Sequence, residues 1–279
     1  MKKLTIGMAT FDDYDGVYFT LQAIMLYHPE VLEDIEVLVI DNHCEGPGAE
    51  HLVKLCNALP VPARYRIEED IKGTAVKGQV FEKSTTPYTL CIDCHILIQP
   101  GAIKQLIEYF EAHPDTNDIL HGPLMYDNHE TLNTHFNDEW GSGMHGQWAM
   151  DERGKELEAR PFEIKAMGMG LAACRTAAWP GYNKNFKGFF VEEQYVHEKF
   201  RRNGGKALCL PFLRWVHRFA RPYGTKYENS WRDRITNYLY AYDELGMDRK
   251  EMLEHFEEHL NKPLIEAIVD EYERGLENA

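Results

Sequence analysis

Tyr88-Thr-Leu-Cys-Ile-Asp93-Cys-His95-Ile-Leu-Ile98 decides how this chain is read. An apolar run ends in a carboxylate, and an imidazole follows two residues later. Side chains at i and i+2 of a strand share a face. Asp93 and His95 can therefore reach one divalent cation from the end of a buried strand. A third ligand lies far downstream, in the apolar segment Trp215-Val-His217-Arg-Phe. One carboxylate and two imidazoles with open positions suit Mn²⁺, or Mg²⁺, acting as a Lewis acid on an anionic group.

Before this stretch, strand and helix patterns alternate. Leu4 to Ala9, Ile35 to Ile40, Ala63 to Ile67 and Tyr88 to Ile92 read as strands. Val17 to Tyr27, Ala49 to Leu59 and Thr74 to Lys83 read as the helices between them, the first stopped by Pro29. Such alternation predicts a largely parallel sheet covered by helices. Its strands are continuous apolar runs, as burial on both faces requires. Ligands of these sheets bind beyond the carboxyl ends of the strands. Thr10, Asp12, Asp41 and Asp93 all fall there.

After it, Pro100 to Ala112 reads as a helix, and residues 113–165 show no clear period. Their His, Asn, Asp and Gly content marks an acceptor site or a loop region. A helix from Glu192 to Arg202 is closed by Asn203-Gly204-Gly205. Lys206 to Leu210 and Leu213 to Val216 read as strands. From about Ser230 the pattern is helical, with breaks near Gly246 and Pro263.

Composition narrows the classes. With 279 residues, 44% of them hydrophobic and 12% aromatic, the chain can bury a large core. No apolar run reaches the roughly 18 residues of a membrane span, and Met1-Lys-Lys-Leu-Thr-Ile lacks the pattern of a signal peptide. The expectation is a cytoplasmic protein. A net charge of -15 opposes a broad nucleic-acid footprint. Arg201, Arg202, Lys206, Arg214, Arg218 and Arg221 form a local basic cluster that can hold an anion such as a diphosphate. The six cysteines form no disulfide framework, and Cys91 and Cys94 read as buried apolar residues.

Two further motifs carry acids. Glu192 and Glu193 sit in the first turn of a helix, where they favour the dipole or place a general base against a hydroxyl. His255-Phe-Glu-Glu258-His259 matches the H-x-x-E-H string of inverted zinc peptidases. The surrounding Glu- and Lys-rich run favours a solvated helix instead. No P-loop appears, and Gly168-Met-Gly170 does not complete a dinucleotide fingerprint.

In their order, these segments resemble glycosyltransferases of the GT-A fold. Ile6-Gly-Met-Ala-Thr10-Phe-Asp12 resembles the first strand and nucleotide loop. Val37-Leu-Val-Ile-Asp41-Asn42 resembles the second strand, whose acidic end reads uracil. Gly73-Thr-Ala-Val-Lys77-Gly78 resembles the G-x-x-x-R-N segment, with Lys77 replacing arginine. Asp93-Cys-His95 stands where family-2 enzymes carry D-x-D. The D-x-H form and a distant histidine resemble the polypeptide N-acetylgalactosaminyltransferases more closely. So does His217-Arg-Phe-Ala-Arg221-Pro-Tyr223, whose arginine and tyrosine meet the diphosphate in those enzymes. Gly168 to Cys174 with Trp179-Pro-Gly-Tyr182 resembles their acceptor-side glycine strand. Gly188-Phe-Phe-Val-Glu192-Glu193 resembles their G-G-E-[EDN] motif, with Phe-Val in place of the second glycine.

The resemblance implies an α/β fold with a Rossmann-like nucleotide-binding sheet, an acceptor-side extension and C-terminal helices. It divides the chain into a GT-A domain over residues 1–228 and a helical extension over 229–279. The first has a nucleotide-sugar half (1–99) and an acceptor half (100–228). It implies a metal-dependent transferase using a nucleotide-sugar donor, UDP-linked, of phage or bacterial style. Thr10, Asp12, Asp41 and Lys77 would hold the nucleoside and phosphate, with Arg218, Arg221 and Tyr223 on the diphosphate. Asp93, His95 and His217 would bind Mn²⁺, and Glu192 or Glu193 would engage the acceptor. The acceptor stays open between a glycan, a protein side chain and a hydroxylated phage DNA base. Trp148 and Trp179 read as core or as stacking platforms. The alternatives are a zinc peptidase using His255, Glu258 and His259, and a non-catalytic nucleotide-binding module.

Overall fold

The computed structural model describes residues 1–189, 191–220 and 229–277; Arg221 and Tyr223 lie outside them. The strands, in chain order, are β1 (Leu4–Thr10), β2 (Ile35–Asp41), β3 (Ala63–Ile67), β4 (Tyr88–Asp93), β5 (Ile96–Ile98), β6 (Ile119–His121), β7 (Leu124–Met125), β8 (Leu132–Asn133), β9 (His135–Phe136), β10 (Trp140–Gly141), β11 (Met144–His145), β12 (Trp148–Ala149), β13 (Phe162–Glu163), β14 (Leu171–Arg175), β15 (Ala207–Cys209) and β16 (Trp215–His217). The helices are α1 (Tyr14–Tyr27), α2 (Ala49–Ala58), α3 (Gly78–Glu82), α4 (Ala102–Ala112), α5 (Glu192–Arg202), α6 (Trp231–Glu244), α7 (Lys250–Glu257) and α8 (Lys262–Glu277).

The apolar runs form the middle of one sheet, ordered β13-β15-β6-β14-β4-β1-β2-β3. β1 pairs in parallel with β2 and β4, and β2 with β3. β14 runs antiparallel to β4 and β6. Leu4, Ile6, Met8, Val37, Val39, Leu90 and Ile92 are fully buried between the helix layers. Each such side chain contributes about 1.5–3 kcal/mol relative to exposure. Register sets the functional edge, because Thr10 lies opposite Asp41 and Ala9 opposite Asp93. The carboxyl ends of β1, β2 and β4 therefore finish level.

A second sheet, β5-β16-β7-β8, grows from the segment just after Asp93. The predicted helix over Thr74 to Lys83 is in fact a 3₁₀ turn, Thr74–Lys77, leading into α3. The backbone crossing before it explains the tight start. Thr74 N–H donates to Gly188 O (2.8 Å) and Gly188 N–H to Lys72 O (2.7 Å). Gly73 has φ 114°, and a Cβ there would lie 1.9 Å from Gly188 O. Residues 113–165, without a period, become the short strands β6 to β13 and their turns.

The C-terminal helices break where the sequence says. Gly246 takes φ 58° after α6, and Pro263 sits in the first turn of α8. Their apolar cluster joins Ile235, Leu239, Phe256 and Ile268 to Phe186, Val191 and Tyr195. It thus straddles the expected 228/229 boundary. Among the described residues no helix is long and apolar enough to cross a membrane. All six cysteines are free.

Four members of the expected basic cluster are engaged away from any anion site. Arg201 and Arg202 both pair with Glu198 on their own helix, and Lys206 pairs with Glu163. Arg214 donates to the carbonyls of Gly154 and Lys155.

Candidate active site

A cleft of about 760 Å³ opens over the ends of β1 and β4. Asp93, at the end of β4, lines it. Lys77 Nζ lies 2.7 Å from its Oδ1, and His217 Nε2 lies 3.3 Å from its Oδ2. Burial alone would raise the Asp93 pKa, but Lys77 and then the two imidazoles outweigh it and hold the carboxyl well below its ordinary range. Lys77 shows the converse: burial works to lower its pKa, and Asp93 keeps the ammonium well above its usual value.

His217 arrives through strand pairing. β16 runs antiparallel to β5, with His217 opposite Ile96, and Arg218 N–H donates to His95 O (3.2 Å). The rings of His95 and His217 meet edge to face, centroids 5.0 Å apart. Asp93, His95 and His217 each bring a ligand atom within 4.8 Å of the others. His217 Nδ1 is buried without a hydrogen-bond partner. A carboxylate and two imidazoles, one with an orphaned nitrogen, fit a divalent cation of the Mn²⁺ type. Gly170 makes room: a Cβ there would lie 2.7 Å from Trp215 and 2.9 Å from Asp93 Oδ2.

Of the residues expected to hold a nucleoside and phosphate, Thr10, Asp12 and Lys77 line the cleft, with Asp12 in the left-handed region (φ 51°). Asp41 does not reach it. Its Oδ2 accepts from the Tyr65 hydroxyl (2.6 Å) and its Oδ1 from His43 N–H (3.0 Å), at 1% exposure. The next residue, Asn42, lines the cleft instead, because neighbours at a strand end face opposite ways. Phe11, Tyr14 and His51 also line it. Sequence reasoning passed over them, since a lone aromatic beside a strand end carries no distinctive spacing.

On the other side, Glu193 faces the cleft while Glu192 is 2% exposed behind it. Burial raises both pKa values, and its neighbour Glu192 helps push Glu193 up to about 8, against the pull of Lys77. The turn that aims them is strained. Val191, the N-cap of α5, has φ 86°, where a β-branched residue is an outlier. It stands where the resembled motif carries glycine. One turn on, His197 anchors the helix: its Nδ1 lies 2.5 Å from Glu193 O and its Nε2 2.8 Å from His121 Nε2. Arg218 and Trp148 line the cleft. Trp179 belongs to the core, stacked on Phe81 at 3.9 Å.

The H-x-x-E-H alternative meets a geometric obstacle. His255, Glu258 and His259 do gather within 4.8 Å. Gly143 N–H donates to His255 Nε2 (3.1 Å), however, so the neutral ring carries its proton on Nδ1, facing Glu258. No lone pair is left on that ring for a metal. His255 stacks on Trp140 and His259 on Trp231, which marks a packed helix face.

Among known proteins, no family model matches the sequence. No curated protein matches it either. Solved structures do match. Against GalNAc-T7, solved with UDP, GalNAc and Mn²⁺, the TM-score is 0.68 at 15% identity over 86% of this chain and 48% of that one. S. aureus TarS matches with a TM-score of 0.58 at 13% identity, over 93% of this chain and 43% of that one. Mannosyltransferase PcManGT from Pyrobaculum calidifontis, in complex with GDP-Man and Mn²⁺, gives 0.58 at 13% identity, over 99% of this chain and 75% of that one. The chain thus spans about half the length of GalNAc-T7 and less of TarS. Its fold is that of the GT-A-type glycosyltransferases.

Proposed function

We propose that the chain is a metal-dependent glycosyltransferase that moves a sugar from a UDP-linked donor to an acceptor hydroxyl. The observation that carries this reading is the convergence of Asp93, His95 and His217 beside one cleft, from segments more than a hundred residues apart. Asp93, His95 and His217 would hold a divalent cation, which would supply positive charge to the departing diphosphate. Thr10, Asp12 and Asn42 border the space for the nucleoside. Lys77 holds the Asp93 carboxylate ionised, and Arg218 offers a guanidinium to the phosphates. Glu193, rather than Glu192, faces the acceptor hydroxyl as base or hydrogen-bond anchor. The glycan, the protein side chain and the hydroxylated phage DNA base stand as the acceptor classes.

Hydrolysis of a panel of nucleotide sugars with and without Mn²⁺ tests the proposal. UDP-sugar turnover that needs Mn²⁺ and disappears in Asp93→Ala is the expected result. Failure of every donor to be hydrolysed or bound would end this reading.

A further inference from the structure

The same edge of the sheet holds a carboxylate that the family resemblance does not assign. Asp13 is the N-cap of α1: its Oδ1 accepts from Gly16 N–H (3.1 Å), which is all that capping requires. Its second oxygen points the other way. Asp13 Oδ2 lies 2.9 Å from His95 Nδ1 and 3.6 Å from Cys94 Sγ, with the Asp13 side chain 27% exposed and that of His95 12%. The neutral imidazole has one proton and one lone pair on its two nitrogens. A carboxylate can only accept, so it selects the tautomer with the proton on Nδ1. That leaves the lone pair on Nε2.

We propose that Asp13 is the positioning residue of the metal centre, fixing the tautomer and ring orientation in which His95 can ligate a cation. The inference rests on the reading of Asp93, His95 and His217 as metal ligands. A carboxylate behind a ligating imidazole raises its basicity, and losing one typically lowers metal affinity about 10–100-fold. It also links the metal site to the amino end of α1, so one side chain sets both.

Asp13→Asn separates the two roles. Its amide oxygen still caps α1, while its NH₂ group donates towards His95 Nδ1 and selects the opposite tautomer. Titration of metal-free wild type and variant with Mn²⁺ alone should show affinity weakened about 10–100-fold, with an unchanged melting temperature for the metal-free proteins. Nitrogen NMR of metal-free protein should find the His95 proton on Nδ1 in wild type and on Nε2 in the variant. In a His95→Ala background, adding Asp13→Asn should change Mn²⁺ affinity no further. Wild-type affinity in Asp13→Asn overturns the inference, as does a loss that persists in the His95→Ala background. Wild-type protein that takes up no Mn²⁺ overturns the metal reading itself, and this inference with it.

Discussion

At the scale of single residues, the site is a charge balance around one buried carboxylate. Asp93 meets an ammonium on one oxygen and an imidazole on the other. Removing one partner of a buried pair leaves the other uncompensated, at a cost of about 3–5 kcal/mol. Lys77→Met should therefore lower urea-unfolding stability by that order. Lys77→Met with Asp93→Asn should recover most of it, since no lone charge remains. Mn²⁺ should raise the melting temperature of Lys77→Met more than that of wild type, because the cation supplies the missing positive charge. The motif was legible as Asp93 and His95, two residues apart. Asp13 was not, because an acid before a helix reads as a cap, and its second oxygen has no sequence signature.

At the scale of elements, the segment that leads into Val191 and Glu193 is held by the C-terminal helices. Asn237 on α6 accepts from Lys187 N–H (2.9 Å) and donates to Lys187 O (2.6 Å), one residue before the Gly188 crossing. The Tyr238 hydroxyl accepts from His145 N–H (2.8 Å). α6 thereby ties down the loop that leads into Val191 and Glu193. Asn237→Leu should cost about 1 kcal/mol in stability and speed hydrogen exchange over residues 186–195. The transfer rate should fall while UDP affinity holds, since the loop that Asn237 holds leads into Glu193. The helices themselves were plain in the sequence from Gly246 and Pro263. Their docking was not: Asn237 reads as an ordinary polar helix position until Lys187 is placed beside it.

For the whole molecule, pH acts through buried and half-buried histidines. Burial holds the pKa values of His28, His121, His135, His145, His197 and His255 below their ordinary range, with His121 pushed down to about 4. The unfolded chain takes up these protons first. The stability they give is complete above pH 6.5 and is lost as pH falls through the folded values. Glu192 and Glu193 act in the opposite sense: their contribution is full below 4.5 and is lost as pH rises, through about 8 for Glu193. Because the imidazoles outnumber the two carboxyls, the urea midpoint of the metal-free protein should drop between about pH 7 and about pH 5. A midpoint that held steady or rose would mean these histidines are protonated in the folded state.

Sequence by itself determined the alternating frame, the polar residues at its strand ends and the Asp93–His95 pair. Those are local properties: apolar period, turn residues and the two-residue repeat of a strand. Tertiary structure alone decided which side chains face the cleft. It turned Asp41 back onto Tyr65 and let Asn42 through. It separated Glu193 from Glu192 and closed His255 with the Gly143 amide. It also brought His217 to Asp93, through the pairing of β16 with β5. Long-range pairing and the choice of face depend on what the rest of the chain leaves open, and no local pattern encodes that.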